Sequence, residues 1–313
     1  MRLSVVDYQD VLQDLDKGVP INFNTNFHTA EEAPDLPIPT NKPYDYDIWL
    51  PLILKSRGLP PAALQVVKLS RAQIRVLVSA AAASIHTGVL NRSYAEDLED
   101  DVYPAFSGLH FPPEGLFMRL GACSPKDGAQ LTPGKLPIHS VEDIVLRITT
   151  SARTWSALTN ILNHEGEEGH VYFLPFNAEM RSEREYRVFC IPDSLGISCV
   201  SQYRWHKPWI FGHQDRNEMT NIAHKILSGI QEVHTEIIAY MQAYDDNEME
   251  SLIRSQGFTF DVLYGENTGK CTLIELNTFG VRSACGSCLF QWLKDRASLY
   301  GESRDIEFRV ARE

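Results

Sequence analysis

Alternation of apolar and polar positions is clearest near the C-terminal end of the chain. Phe258, Phe260 and Val262 alternate with Thr259, Asp261 and Leu263, and the pattern resumes from Lys270 to Asn277 after Gly265-Glu266-Asn267-Thr268-Gly269. Successive strand side chains point to opposite faces, so the pattern predicts a β-hairpin. With Tyr264 opposite Lys270, Asp261 falls opposite Leu273. One face then carries Thr259, Asp261, Leu263, Cys271, Leu273, Glu275 and Asn277. The other carries Phe258, Phe260, Val262, Thr272, Ile274 and Leu276 and reads as core. Asp261 and Glu275 become diagonal neighbours, roughly 7–8 Å apart.

Helical spacing appears where Met219, Ile222, Ile226, Ile230, Val233, Ile237 and Met241 recur, which predicts a long amphipathic helix over 217–243. Ser140 with Glu142 and Asp143 behind it predicts a helix over 140–162, and a further helix is expected over 288–300. The runs at 116–120, 171–176, 185–191 and 196–203 read as strands. Residues 71–85 have no wide polar face, so a buried strand followed by a small-residue turn or helix is expected. Residues 94–106 read as an acidic solvated stretch. Residues 20–47, rich in Pro, Asn and acids, read as a linker or extended arm. These elements predict an α+β chain with antiparallel strands in its C-terminal half. The expected division is an N-terminal extension and Pro-rich linker (1–47), an N-terminal lobe (48–170) and a C-terminal lobe (171–313).

The chain has 313 residues, 43% of them hydrophobic, enough for one large or two modest domains. A net charge of −12 disfavours nonspecific binding to nucleic acid or anionic membrane. No apolar run approaches a membrane span, and the first residues lack a signal-peptide core, so a cytosolic location is expected. The six cysteines form no disulfide framework. Cys285-Gly286-Ser287-Cys288 is a lone CxxC without a second ligand pair, which argues against zinc. The glycine-rich phosphate motifs GxxxxGK[ST] and GxGxxG are absent, as are GxSxG and HExxH.

Asp261, Glu275 and Asn277 on one hairpin face are either solvated acids or a platform for Mg²⁺, a hard cation that takes oxygen ligands. The further polar candidates are Arg119 at the end of "LFMRL", the following "SPKD" (124–127), and Arg187 on the same strand face as Glu185.

Taken in order, "LFMRLGACSPKDG" (116–128), "EREYRVFCIPDSLGISCVSQY" (183–203), "FTFDVLY" (258–264), "TLIELNTFG" (272–280) and "SCLFQW" (287–292) resemble the blocks of the cell division cycle protein 123 family. "IWLP" (48–51) resembles a block near that family's start. The resemblance covers about 48–292. It implies an ATP-grasp-like fold, in which two α+β lobes hold ATP and Mg²⁺. It implies that Asp261, Glu275 and Asn277 bind the metal and that Arg187 reaches a phosphate. Arg119 falls where the family has an ATP-binding Lys. Ser124 and Asp127 belong to a loop expected to close over the nucleotide, Leu174 to Phe176 form the adenine hinge, and Glu185 joins the nucleotide-binding set. Glu275 stands where an Asp is usual, Leu174-Pro175 replaces a basic pair, and the loop "VRSACG" is longer, with Gly286 in place of an Asp.

The resemblance implies two functional classes. The favoured one is an ATP-dependent ligase that activates a carboxylate as an acyl phosphate for attack by a second, nucleophilic substrate; Arg282, beside the metal motif in the longer loop, is either the group that grips the carboxylate or a solvated loop arginine. The alternative is an ATP-binding assembly chaperone for the gamma subunit of eukaryotic translation initiation factor 2. A nucleotide-binding regulatory protein is a third possibility.

Overall fold

In a computed structural model of the chain, the structure describes residues 1–164, 166, 168–244, 246–303 and 305–313. Nine strands are described: β1 (Arg2–Asp7), β2 (Gln65–Leu69), β3 (Leu116–Leu120), β4 (Gly169–Pro175), β5 (Glu185–Cys190), β6 (Ile197–Gln202), β7 (Phe258–Gly265), β8 (Lys270–Thr278) and β9 (Glu307–Arg312). They form a six-stranded sheet, β1-β9-β6-β5-β7-β8, and a three-stranded sheet, β2-β4-β3. The chain accordingly divides into two units, one made of residues 1–58 with 179–313 and the other of residues 59–178. This differs from the expected boundaries at 47 and 170. Residues 1–47 are not only a linker, because β1 pairs in parallel with β9 and is followed by helix Tyr8–Leu15.

In the larger unit, helix Arg216–Ala243 packs on β7 and β8, and helix Tyr46–Ser56 packs on β8. The sheet face towards them is apolar. Tyr186, Val188, Val200, Phe258, Phe260, Val262 and Phe308 alternate along their strands and are all fully buried. The opposite face is polar along one row. Ser4, Arg309, Ser201, Arg187, Asp261 and Glu275 are successive register partners across all six strands. Residues 279–299 cover part of that face, where Phe279, Val281, Phe290, Trp292 and Leu299 pack with Phe189 and Cys199. The expected helix over 288–300 is reduced to Arg296–Leu299; elsewhere in 288–300 the backbone runs through turns.

In the smaller unit the 71–85 segment is helix Arg71–Ser84. Its start is fixed by a capping box, with Ser70 accepting from Gln73 N and the Gln73 side chain returning to Ser70 N. The two alternatives left open by the sequence thus resolve as helix throughout. Residues 94–106 are largely helical turns that bury Leu98, Val102 and Phe106, rather than a solvated stretch. The single helix expected over 140–162 is two, Val141–Thr150 and Ala152–Asn163. Ser151 breaks it, because its hydroxyl caps the second helix at Thr154 N. Among the described residues, no helix is long and apolar enough to cross a membrane.

Candidate functional site

The hairpin register differs from expectation in a way that creates the site. Gly265 pairs with Lys270 and Val262 with Leu273, but a β-bulge between Asp261 and Val262 shifts the pairing beyond it, so that Asp261 faces Glu275 and Thr259 faces Asn277. A bulge inserts one extra residue and re-aims the side chains next to it. Leu273 and Cys271 therefore join the buried positions of β8, whereas Ile274 is only partly buried, contrary to the faces read from the sequence. The diagonal carboxylate pair becomes a direct one, with Cβ atoms about 4.5–5.5 Å apart.

Two neighbours fix the bulge. Leu273 N donates to Ser56 Oγ at 2.8 Å, and Arg57 donates through Nε to Leu273 O at 3.1 Å and through Nη2 to Ile274 O at 3.2 Å. Both residues lie at the C-terminal end of helix Tyr46–Ser56. No motif in the sequence marks them, since their partners are backbone atoms more than two hundred residues away.

Arg187 lies across β5 from Asp261 and donates to both of its oxygens, Nε to Oδ1 at 2.8 Å and Nη2 to Oδ2 at 2.7 Å. Its Nη1 donates to Gly286 O at 2.8 Å. Three of its five N–H donors are thus engaged within the unit. Burial alone would lower the Arg187 pKa, but the Asp261 carboxylate outweighs it and holds the guanidinium well above its ordinary value. The Tyr203 ring lies beneath the guanidinium at 5.1 Å, a cation–π contact. Burial raises the Tyr203 pKa, Arg187 opposes this, and the charges of Asp261, Glu185 and Glu275 all reach it. These residues therefore share one electrostatic neighbourhood. No sequence motif singles out Tyr203, although it ends the 183–203 block.

Asp261 is fully buried and Glu275 and Asn277 are half-buried. The Asn277 Nδ2 is buried with no hydrogen-bond acceptor among the described residues. No three His, Cys, Asp or Glu side chains among the described residues are grouped for a metal. Two opposed carboxylates and an amide fit a cation that draws its remaining ligands from phosphate and water, as Mg²⁺ does, rather than one that needs a complete protein cage. Cys285 and Cys288 lie buried beside Arg187. Burial raises both thiol pKa values, and the nearby Arg187 charge opposes this. Arg282, in the same loop, donates from Nη1 to Leu36 O at 3.1 Å, and its Nε is buried without an acceptor among the described residues.

The remaining candidates belong to the smaller unit. Arg119 is buried and donates to Leu120 O at 3.1 Å and Gly121 O at 3.3 Å. Asp127 accepts from Ser151 Oγ at 2.5 Å and Arg153 N at 3.3 Å, so it supports the start of helix Ala152–Asn163. Ser124 is buried, and its carbonyl accepts from Lys126 N. Leu174 lies on β4 opposite Phe117, and Phe176 N donates to Gly115 O at 2.9 Å. That bond occupies the Phe176 N–H, so a hinge at this position has carbonyl acceptors to offer rather than that donor.

No family model matches the chain, and no curated protein matches it. Among solved structures, Cdc123 from Schizosaccharomyces pombe matches at a TM-score of 0.58 and 16% identity, covering 92% of this chain and 100% of that one. A C-terminally truncated Cdc123 from the same organism matches at a TM-score of 0.55 and 17% identity, with 92% and 100% covered. The α+β fold expected from the sequence is borne out: the chain has the fold of Cdc123, with which the expected ATP-grasp-like arrangement is consistent.

Proposed function

We propose that this protein binds ATP together with Mg²⁺, the metal lying on the face of the hairpin that carries Asp261, Glu275 and Asn277. The observation that carries this reading is the direct opposition of Asp261 and Glu275 across β7 and β8. Like charges placed opposite each other on a sheet are destabilising on their own. Here a bulge and the backbone bonds from Ser56 and Arg57 enforce the arrangement. Asp261, Glu275 and Asn277 would hold a divalent cation, which when bound would supply positive charge beside the carboxylates in addition to that of Arg187. Arg187 orients Asp261 through both of its oxygens. Arg119, Ser124, Asp127, Glu185, Leu174 and Phe176 are the positions proposed for the nucleotide itself.

The reaction class proposed with this site is ATP-dependent ligation through an acyl phosphate. When bound, Mg²⁺ would neutralise charge on the transferring phosphoryl group. Arg282 would hold a substrate carboxylate, a role supported by its buried Nε–H without an acceptor among the described residues. A second reading is an assembly chaperone for the gamma subunit of eukaryotic translation initiation factor 2. It is favoured by the match over the whole length of Cdc123. One experiment separates them. Phosphate or ADP release is measured across a panel of small carboxylic acids, alongside capture of the purified gamma subunit. Acid-dependent turnover selects the ligase, and stoichiometric capture without turnover selects the chaperone.

A further inference from the structure

Residues 22–28 run alongside residues 281–292, and the contact is dense. Asn24 N donates to Cys288 O at 2.7 Å, and Cys288 N donates back to Asn24 Oδ1 at 3.1 Å. Ser287 N donates to Thr25 O at 3.2 Å, Trp292 N to Thr25 Oγ1 at 3.1 Å, Phe27 N to Ser283 O at 2.9 Å and His28 N to Val281 O at 3.2 Å. The Trp292 indole donates to Cys285 O at 3.1 Å. Gly286 thus sits between two carbonyl and amide groups that are both tied down. Its own carbonyl receives Arg187 Nη1.

Backbone strain concentrates at the same place. Among the described residues, five non-glycine residues have positive φ, and three of them, Asn24 (49°), Phe27 (49°) and Cys288 (53°), lie in this crossing. Asn tolerates the left-handed region, but Phe and Cys do so at a cost, and such conformations persist only where surrounding contacts over-determine them. Gly286 is required for a different reason: a Cβ there would collide with the Asn24 side-chain oxygen. The N-terminal segment and the loop are therefore fitted to each other.

We infer that Asn24 is a positioning residue for the proposed metal site. Its side chain holds Cys288 N and so, together with Thr25 O on Ser287 N, sets the direction of the Gly286 carbonyl, which fixes Arg187, which in turn fixes the Asp261 carboxylate. The inference rests on the reading of Asp261 and Glu275 as the Mg²⁺ platform. It adds that residues 22–28, which the sequence presents as a linker, are part of the site's support.

The test titrates Mg²⁺ at fixed ATP by calorimetry for the parent protein and for Asn24→Ala, Asn24→Gly, Asn24→Asp and Glu275→Gln, with thermal melting beside it. Asn24→Gly keeps access to positive φ while losing the side-chain acceptor, and Asn24→Asp keeps the acceptor. Asn24→Ala and Asn24→Gly should raise the Mg²⁺ concentration for half-maximal ATP binding about tenfold, the low end for loss of a group that orients a metal ligand. Asn24→Asp should stay close to the parent, and ATP affinity in EDTA should not change. A lower melting temperature with an unchanged Mg²⁺ requirement would overturn the inference, as would equal weakening of ATP with and without metal. If Glu275→Gln abolishes the Mg²⁺ effect while Asn24→Gly does not touch it, the positioning role fails and the metal site stands. If Glu275→Gln has no effect, the metal site itself fails and the inference with it.

Discussion

Arg187 grips both carboxylate oxygens of Asp261, at 2.8 and 2.7 Å, and both side chains are buried. A charge pair taken out of water gains little net stability while intact. Removing one partner is costly, because the other is left as an uncompensated buried charge.

Asp261→Ala and Arg187→Ala should therefore each destabilise the fold by about 3–5 kcal/mol. From sequence alone, Asp261 reads as either a solvated acid or part of a metal platform, and its full burial rules out the solvated reading. Urea denaturation checks the values. The double variant, with both charges removed, should lose less than the sum of the single losses. Losses that simply add would mean that the pair is not coupled.

The bulge gives a second prediction. Ser56→Ala removes the acceptor for Leu273 N and should cost about 1 kcal/mol, the usual net worth of one hydrogen bond. It should also weaken Mg·ATP binding more than ATP binding in EDTA, because the bulge is what brings Glu275 opposite Asp261. Denaturation and calorimetry on the same variant read the two effects. An unchanged metal dependence would separate the bulge from the site.

Arg119 carries a third. Its guanidinium reaches two carbonyls at the end of β3, a geometry that the single ammonium of lysine does not reproduce. Arg119→Lys should lower stability by about 0.5–1.5 kcal/mol. If Arg119 also holds phosphate, Arg119→Ala should weaken ATP binding by about 1.5–3 kcal/mol and adenosine binding by less. Equal weakening of both ligands would confine Arg119 to a structural role.

Much of the fold is legible in local sequence. Ser140 and the apolar spacing after Met219 announce helices, and alternation around Phe260 announces the hairpin, because caps and periodicity are properties of adjacent residues. The site is legible only as a set of residue types. Glu275 faces Asp261 because of one extra residue in β8, and that bulge is held by Ser56 and Arg57, whose partners are remote in sequence. The pairing of β1 with β9 and the crossing of Asn24 with Cys288 join the two ends of the chain. Contacts at such separation leave no local period to read, so the first 47 residues read as an extension followed, over 20–47, by a linker or extended arm. Residues 71–84 mislead for the opposite reason. Their alanines give no polar stripe, and only the Ser70–Gln73 capping box marks the helix.

The central claim is that the Asp261 and Glu275 face binds Mg²⁺ together with ATP. The most direct measurement is ATP binding by calorimetry, with Mg²⁺ and in EDTA, on the parent protein and on Glu275→Gln. This variant removes one facing charge without breaking the buried Arg187–Asp261 pair. The account predicts that the parent binds ATP more tightly with Mg²⁺, and that Glu275→Gln loses that gain while its affinity in EDTA stays close to the parent's. A Glu275→Gln protein that retains the full Mg²⁺ gain would contradict it.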